Sequence, residues 1–280
     1  MDGKLRVTVV GLGVMGGSFL KALRPLGLQA LYGVDVDKDV MDMVWASELI
    51  DDGDVSPERF LPKTDLLILC LPPKVEVDFM KRWQGLLPSG AVVTDVCGVK
   101  VPMLQALLPY LREDIGFIPG HPMCGREVGG FKRSHHELYL GCNYILTPLK
   151  GRDAGMEMVK ELAHAVGTRK MVITTPEEHD GKIALSSHLP HVVASALMLC
   201  TEAEDVGGFT GGSFKDATRV AAMNVPMWSD LMEDNREALL TELHRFNHHM
   251  QAFTKALEDG DKAQMEAMLE RSTQLKERDL

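Results

Sequence analysis

The sequence predicts an α/β N-terminal domain built on a doubly wound sheet, followed by an all-α C-terminal domain. Up to about residue 175, short buried strands alternate with helices of apolar periodicity, the pattern of a parallel sheet covered on both faces. From residue 177 onward strand patterns are absent, and apolar residues recur at steps of three and four. We therefore expect two domains, 1–175 and 176–280, with a cleft between them because the connection is short.

The first predicted strand runs directly into a glycine-rich turn, Gly11-Leu12-Gly13-Val14-Met15-Gly16. Gly11 permits the tight turn, Gly13 lets the backbone approach a pyrophosphate, and Gly16 lets helix and strand pack closely. The next strand ends in Asp35, 19 residues after Gly16. An acid at this point binds the adenine-side ribose and repels a 2′-phosphate. This order of elements predicts a Rossmann-type domain that binds NAD in preference to NADP.

Later strands are predicted at 65–70, 91–95 and 115–119, with further strands at 143–147 and 170–174 that extend the same sheet. Ligands of an open α/β sheet bind at the carboxyl ends of its strands. We expect Leu71, Pro72 and Asp95 to contact the cofactor there. His121 follows the third strand, and a neutral imidazole in this place can accept the proton of an alcohol that is being oxidised. The alternative is a buried histidine bonded to the backbone.

Composition limits the classes of partner. The chain has 280 residues and a net charge of −10, which argues against binding to nucleic acid or to anionic membranes. Five cysteines form no CxxC pair, as is typical of reduced thiols in a cytoplasmic protein. No apolar run is long enough to cross a bilayer, and the first strand begins too early to leave room for a signal peptide.

The C-terminal half carries polar residues in apolar helices. His188 and His191 lie three apart and so share a helix face, but no nearby acid or cysteine completes a metal site, and we expect none. Arg219 interrupts an apolar stretch, where it pairs either with a substrate carboxylate or with an acid of its own domain. Apolar residues form a seam along one long helix and favour a homodimer: Leu239, Leu243, Phe246, Met250, Phe253 and Leu257.

Taken together, these motifs resemble the prephenate/arogenate dehydrogenase family over nearly the whole chain. They are the glycine loop, DVCGVK at 95–100, HPMCGRE at 121–127, SHLPH at 187–191, and GSFKDATR at 212–219 followed by Met227 and Trp228. The resemblance implies a Rossmann domain, a helical dimerisation domain and an active site between them. It also implies oxidative decarboxylation of prephenate, in which hydride leaves C4 for NAD+ and CO2 leaves C1.

The resemblance assigns roles to individual residues. His121 would accept the proton of the 4-hydroxyl, and Arg219 would pair with the ring carboxylate. His191 and Ser187 would line the substrate pocket, with Glu127 at its mouth. In place of a serine common in the family, this chain has Gly98, which puts the orientation of the 4-hydroxyl in question: either His121 acts alone, or Cys97 or a water replaces the serine hydroxyl.

Arg126 bears on the choice between substrates. The resemblance implies that an acid at this position goes with arogenate, whose side chain carries an ammonium, so an arginine favours prephenate. The alternative is a surface arginine turned to solvent. The other functions that remain open are an arogenate dehydrogenase, a β-hydroxyacid dehydrogenase, and a regulator that binds NAD without catalysis.

Overall fold

The computed structural model describes residues 1–125, 129–202 and 206–279. Its N-terminal part holds a six-stranded sheet in the order β3-β2-β1-β4-β5-β6, all parallel. The strands are β1 (Arg6–Val10), β2 (Ala30–Val34), β3 (Asp52–Asp54), β4 (Leu66–Leu69), β5 (Val92–Asp95) and β6 (Gly116–Ile118). The helices between them are α1 (Val14–Leu23), α2 (Lys38–Ala46), α3 (Pro73–Trp83) and α4 (Val101–Leu107). The predicted fold class is confirmed; the short polar strand β3 was not predicted.

The sheet is buried on both faces. Along β4, Leu66 and Ile68 belong to one apolar cluster, whereas Leu67 and Leu69 belong to a second cluster on the opposite face. Successive side chains of a strand point to opposite faces. Because both faces of the sheet are buried, every position of this strand needs an apolar residue. This is the reason why the central strands appear in the sequence as continuous apolar runs.

A separate three-stranded sheet follows, in the order β7-β8-β9. It contains β7 (Gly120–Pro122), β8 (Asn143–Leu146) and β9 (Lys170–Ile173), with α5 (Met156–Ala165) between the last two. The expectation that these strands extend the first sheet is wrong. Pro119 lies between β6 and β7 and has no N–H for a ladder, and β7 then pairs antiparallel with β8. His121 is therefore inside a strand, opposite Ile145, and not in a loop beyond one.

The C-terminal part is helical. It contains α6 (Pro176–Ile183), α7 (Leu189–Leu199), α8 (Gly212–Thr218), α9 (Val225–Asp234), α10 (Arg236–Glu258) and α11 (Lys262–Asp279). A π-helical turn, Ala184–His188, joins α6 to α7. Pro190 stands at the start of α7, a position at which a proline is tolerated. Pro190 follows the π-helical turn. It has no backbone N–H and therefore needs no acceptor in that turn.

These helices leave much of their apolar surface exposed in the single chain. In α10 only Leu239 and Ala256 are buried, whereas Met250 and Leu257 are exposed. Helix α7 is likewise only partly buried, since Leu189 and Ala194 are its buried residues. No helix among the described residues combines the length and the hydropathy needed to cross a membrane.

Candidate active site

A cavity of about 400 Å³ lies between the carboxyl ends of the strands and the helical domain. Five residues predicted for the active site line it: Gly98, His121, Ser187, His191 and Arg219. Met15, from the first turn of α1, lines the same cavity. The structure thus brings together side chains from the glycine loop, both sheets and the C-terminal helices. Arg126 and Glu127 lie outside the described residues, so their predicted roles stay predictions.

His121 is the end of a hydrogen-bonded chain of three side chains. Its Nδ1 lies 2.9 Å from His179 Nε2, and His179 Nδ1 lies 2.7 Å from Asp180 Oδ1. The backbone N–H groups of Lys100 and Val101 also donate to the Asp180 carboxylate, each at 2.8 Å. A carboxylate only accepts, so His179 donates from Nδ1 and accepts at Nε2. His121 must then donate from Nδ1, which leaves its Nε2 as an acceptor.

The surroundings of His121 keep its ring neutral. Burial, with smaller effects from His179, Lys100 and His188, lowers the pKa of His121 well below its usual value. At neutral pH the ring is therefore in the form that accepts a proton. His179 and Asp180 hold this ring in the required tautomer. The Asp180 carboxylate also stabilises the positive charge that forms on His121 when it accepts a proton.

A buried ion pair holds β7 against the end of β5. Lys100 Nζ donates to Asp95 Oδ2 and to the Gly120 carbonyl oxygen, both at 2.6 Å. The other carboxylate oxygen of Asp95 accepts the Gly120 N–H at 2.9 Å. The Asp95 carboxylate is fully buried and engaged within the protein, and a contact of Asp95 with the cofactor stays a prediction. Asp95 and Lys100 instead fix the position of His121.

On the helical side, His191 and Trp228 form one wall of the cavity. Their rings stack with centroids 3.6 Å apart, and His191 Nδ1 donates to the Ser187 carbonyl at 2.8 Å. The Nε2 of His191 is then an acceptor. His188 Nδ1 instead accepts from Asn235 Nδ2 at 3.3 Å, and burial lowers the pKa of His188 to about 4. The two histidines therefore have separate hydrogen-bond partners and do not form a shared metal site.

Gly98 leaves room beside the proton acceptor. A Cβ at this position would lie 3.8 Å from His121 Nε2, an ordinary contact, and the glycine does not need a positive φ. A serine would fit there. Its absence leaves His121 without a neighbouring hydroxyl from this loop, as the sequence predicts.

The glycine loop has the geometry that a pyrophosphate requires. Gly11 has φ +84°, and a Cβ on it would lie 2.4 Å from the Cys70 carbonyl oxygen. A Cβ on Gly16 would lie 2.0 Å from the Gly11 carbonyl oxygen, so helix and strand pack in close contact. A Cβ on Gly13 would meet nothing within 4 Å, which leaves the start of α1 open to a phosphate. Val14 is partly exposed, whereas the side chain of Leu12 is buried in the core, and the contact of Leu12 with the cofactor stays a prediction.

Asp35 lines a second cavity of about 350 Å³, together with Leu71 and Trp83. Its two carboxylate oxygens accept the N–H of Leu12 at 2.6 Å and that of Asp37 at 2.9 Å. The carboxylate thus joins the end of β2 to the glycine loop and still has lone pairs for a ribose hydroxyl. Leu71 lies where the sequence predicts cofactor contact; the neighbouring Pro72 is exposed and does not line this cavity.

Sequence reasoning missed His179, Asp180 and the stacking role of Trp228. His179 is 58 residues from His121, and no periodic pattern connects the two positions. The one available signal was the His179-Asp180 pair in the first turns of α6, just after the predicted domain boundary. A histidine beside an acid at a domain cleft is a candidate for orienting another base.

Comparisons with known proteins agree with this site. The family model for the nucleotide-binding domain of prephenate dehydrogenase matches residues 19–175, and the model for its dimerisation domain matches residues 175–271. A cyclohexadienyl dehydrogenase of Zymomonas mobilis is 30% identical over 91% of this chain and 90% of its own length. A prephenate dehydrogenase of Bacillus subtilis is 26% identical over 91% of this chain and 71% of its own length.

A solved structure gives the same result. The crystal structure of A. aeolicus prephenate dehydrogenase in complex with hydroxyphenyl propionate and NAD+ superposes with a TM-score of 0.89. The two sequences are 31% identical, and the match covers 99% of each chain. The cavity, the proton acceptor within it and both matched domains lead to one conclusion: the chain belongs to the prephenate dehydrogenase family.

Proposed function

We propose that this protein is an NAD+-dependent prephenate dehydrogenase, which converts prephenate into 4-hydroxyphenylpyruvate and CO2. The observation that carries the proposal is the neutral His121, whose acceptor nitrogen borders a cavity that also contains Arg219. Oxidation of a ring alcohol requires a proton acceptor, and loss of a ring carboxylate requires a group that first holds it in place. This cavity offers one of each.

The cofactor site fits NAD+. The open approach at Gly13 suits a pyrophosphate at the start of α1, and Asp35 at the end of β2 suits a ribose with a free 2′-hydroxyl. A 2′-phosphate would meet the Asp35 carboxylate and be repelled. When bound, NAD+ supplies the acceptor for the hydride; that an NAD+ complex is known for the A. aeolicus relative supports this choice.

The residues of this chain then perform the remaining steps. His121 Nε2 takes the proton of the 4-hydroxyl, and the charge on the ring is stabilised through His179 by Asp180. Arg219 binds the ring carboxylate and orients the substrate. The stacked rings of His191 and Trp228 supply a flat apolar wall against the cyclohexadiene. These groups surround the substrate and exclude water while the proton and the hydride leave.

The active form would be a homodimer. The matched dimerisation domain and the exposed apolar residues of α10 support this, because Met250 and Leu257 are typical of a face that a second copy covers. Sedimentation of the purified protein should give twice the mass of one chain.

Arogenate remains the second candidate substrate, because the Zymomonas mobilis relative is named for cyclohexadienyl compounds in general. The test is to supply the purified protein with NAD+ and either prephenate or arogenate. NADH formation is followed by absorbance, and the aromatic product is identified by mass. We expect a higher kcat/KM for prephenate. A higher kcat/KM for arogenate would contradict the proposed substrate but not the proposed reaction. No turnover of either compound would contradict the proposed reaction.

A further inference from the structure

Glu76 is a buried acid that the mechanism above does not use. It lies in the first turn of α3 and has no exposed surface. Its Oε2 accepts a hydrogen bond from the Cys97 thiol, with Sγ at 3.1 Å. Its Oε1 is buried and finds no hydrogen-bond partner among the residues that the structure describes. A buried carboxyl oxygen without a partner is costly, so this group calls for an explanation.

The nearby cation, the Lys100 ammonium, is paired with Asp95 and not with Glu76. Asp95 lies at the end of β5, and its ion pair with Lys100, at 2.6 Å, is fully buried. The thiols of Cys70, directly after β4, and of Cys97, in the loop after β5, complete the surroundings. Burial and the Asp95 carboxylate raise the pKa of Glu76 well above its usual range, against the opposing effect of Lys100. Both effects favour the protonated form of Glu76.

The same three side chains do not form a metal site. Glu76, Asp95 and Cys97 bring potential ligand atoms within 4.8 Å of one another. The position for a cation on Asp95 Oδ2 is already taken by the Lys100 ammonium. The ion pair is neutral as a whole, and burial raises the pKa of the Cys97 thiol, so Glu76 is the acid of this cluster whose proton a nearby positive charge can release.

This proton lies directly behind the wall of the active site. Val96 and Gly98 line the cavity, whereas Cys97 between them points the other way, toward Glu76. Gly98 in turn is next to His121 Nε2. The hydride acceptor must come close to the carbon whose hydroxyl His121 deprotonates. An oxidised nicotinamide ring, which carries one positive charge, would therefore lie on the cavity side of the loop that contacts Glu76.

We propose that Glu76 is a proton-binding site coupled to the charge of the cofactor, and that it releases its proton to solvent when NAD+ binds. The inference rests on the proposed function, because it concerns the nicotinamide ring. A positive charge close to a buried acid favours the carboxylate. The ring becomes neutral once it has accepted a hydride, so Glu76 takes a proton back from solvent. NADH, which is neutral at the ring, binds to the protonated form. Glu76 thus acts on the cofactor through its charge alone and touches neither substrate nor cofactor.

The test is isothermal titration calorimetry of the full-length protein with NAD+ and with NADH. Each titration is run at neutral pH in phosphate and in Tris buffer, whose ionisation enthalpies differ, so that the heats give the number of protons released. We expect a clear fraction of one proton, and at most one, for NAD+ and none for NADH. By linkage, NAD+ affinity should also rise with pH, by less than tenfold per pH unit, while NADH affinity stays constant.

Two variants locate the proton. Glu76→Gln has the same shape as the protonated acid but no titrating group, so the difference between NAD+ and NADH should vanish. Asp78→Asn removes an exposed acid from the same helix and should keep that difference. Equal proton release for NAD+ and NADH in the wild type would overturn the proposal, as would a difference that survives in Glu76→Gln. Failure of NAD+ to bind at all would instead overturn the proposed function, and this inference with it.

Discussion

Asp180→Asn tests whether the chain of three side chains assists proton transfer. The change removes one negative charge and keeps the size of the side chain. Two hydrogen bonds, of 2.9 and 2.7 Å, and one imidazole ring separate Asp180 from His121, so the charge acts over roughly 8 Å. At an effective dielectric constant of ~20 this is worth about 2 kcal/mol, or a roughly 30-fold loss of kcat.

The assay is steady-state NADH formation with prephenate, over a range of pH. The variant also loses part of a buried hydrogen-bond network, at a cost of about 1–3 kcal/mol in unfolding free energy. Rates are therefore compared well below the melting temperature, after NAD+ binding is shown to be unchanged. Removal of the anion disfavours the protonated His121, so the acidic limb of kcat/KM should move to lower pH. A purely structural effect would not shift this limb.

A background that lacks the proton acceptor gives the control. Asp180 acts through His121, so Asp180→Asn should cause little further loss when added to His121→Asn. Two outcomes would refute the reasoning. One is a folded Asp180→Asn enzyme with wild-type kcat. The other is that Asp180→Asn lowers kcat by the same factor in the wild type and in His121→Asn.

Three further variants probe the substrate and cofactor pockets. Gly98→Ser should fold normally and lower KM for prephenate, since its Cβ has room beside His121 and its hydroxyl can reach the 4-hydroxyl; a large loss of melting temperature would contradict this. Arg219→Ala should weaken prephenate binding by roughly 10–150-fold, with partial recovery in Arg219→Lys, because a charge-assisted bond contributes about 1.5–3 kcal/mol. Unchanged affinity would favour a structural ion pair. Asp35→Asn should narrow the preference for NAD+ over NADP+, measured as a ratio of kcat/KM; a wild type that uses both equally would show that Asp35 does not select the cofactor.

Local patterns predicted the fold and much of the site. The strand, the glycine loop and Asp35 follow one another within a single unit of the sheet, so their arrangement depends on short-range geometry. The position of His121 in the cavity was also predicted, although the residue lies inside a strand of the second sheet and not beyond a strand of the first. A proline between two short strands does not reveal which partner the second strand will choose.

What escaped prediction depends on contacts between distant segments. His179 meets His121 only after α6 packs against the second sheet, and the Asp95 carboxylate is engaged by the Gly120 N–H, 25 residues further along the chain. Glu76 was likewise unremarkable in the sequence, as one acid in the first turn of a helix. Its burial follows from the close approach of α3 to the loop after β5, which the one-dimensional pattern does not specify.

The central claim is that the neutral His121 accepts the proton of the substrate hydroxyl. Its most direct test compares kcat for prephenate oxidation in wild type and in His121→Asn, with NAD+ binding measured in both. Proton acceptance contributes ~10²–10⁴-fold, so the variant should lose that much while its affinity for NAD+ is unchanged. In the wild type, activity should persist below pH 6.5 and fall only at more acidic pH, because burial lowers the pKa of His121. A His121→Asn enzyme that retains most of its kcat would contradict the account.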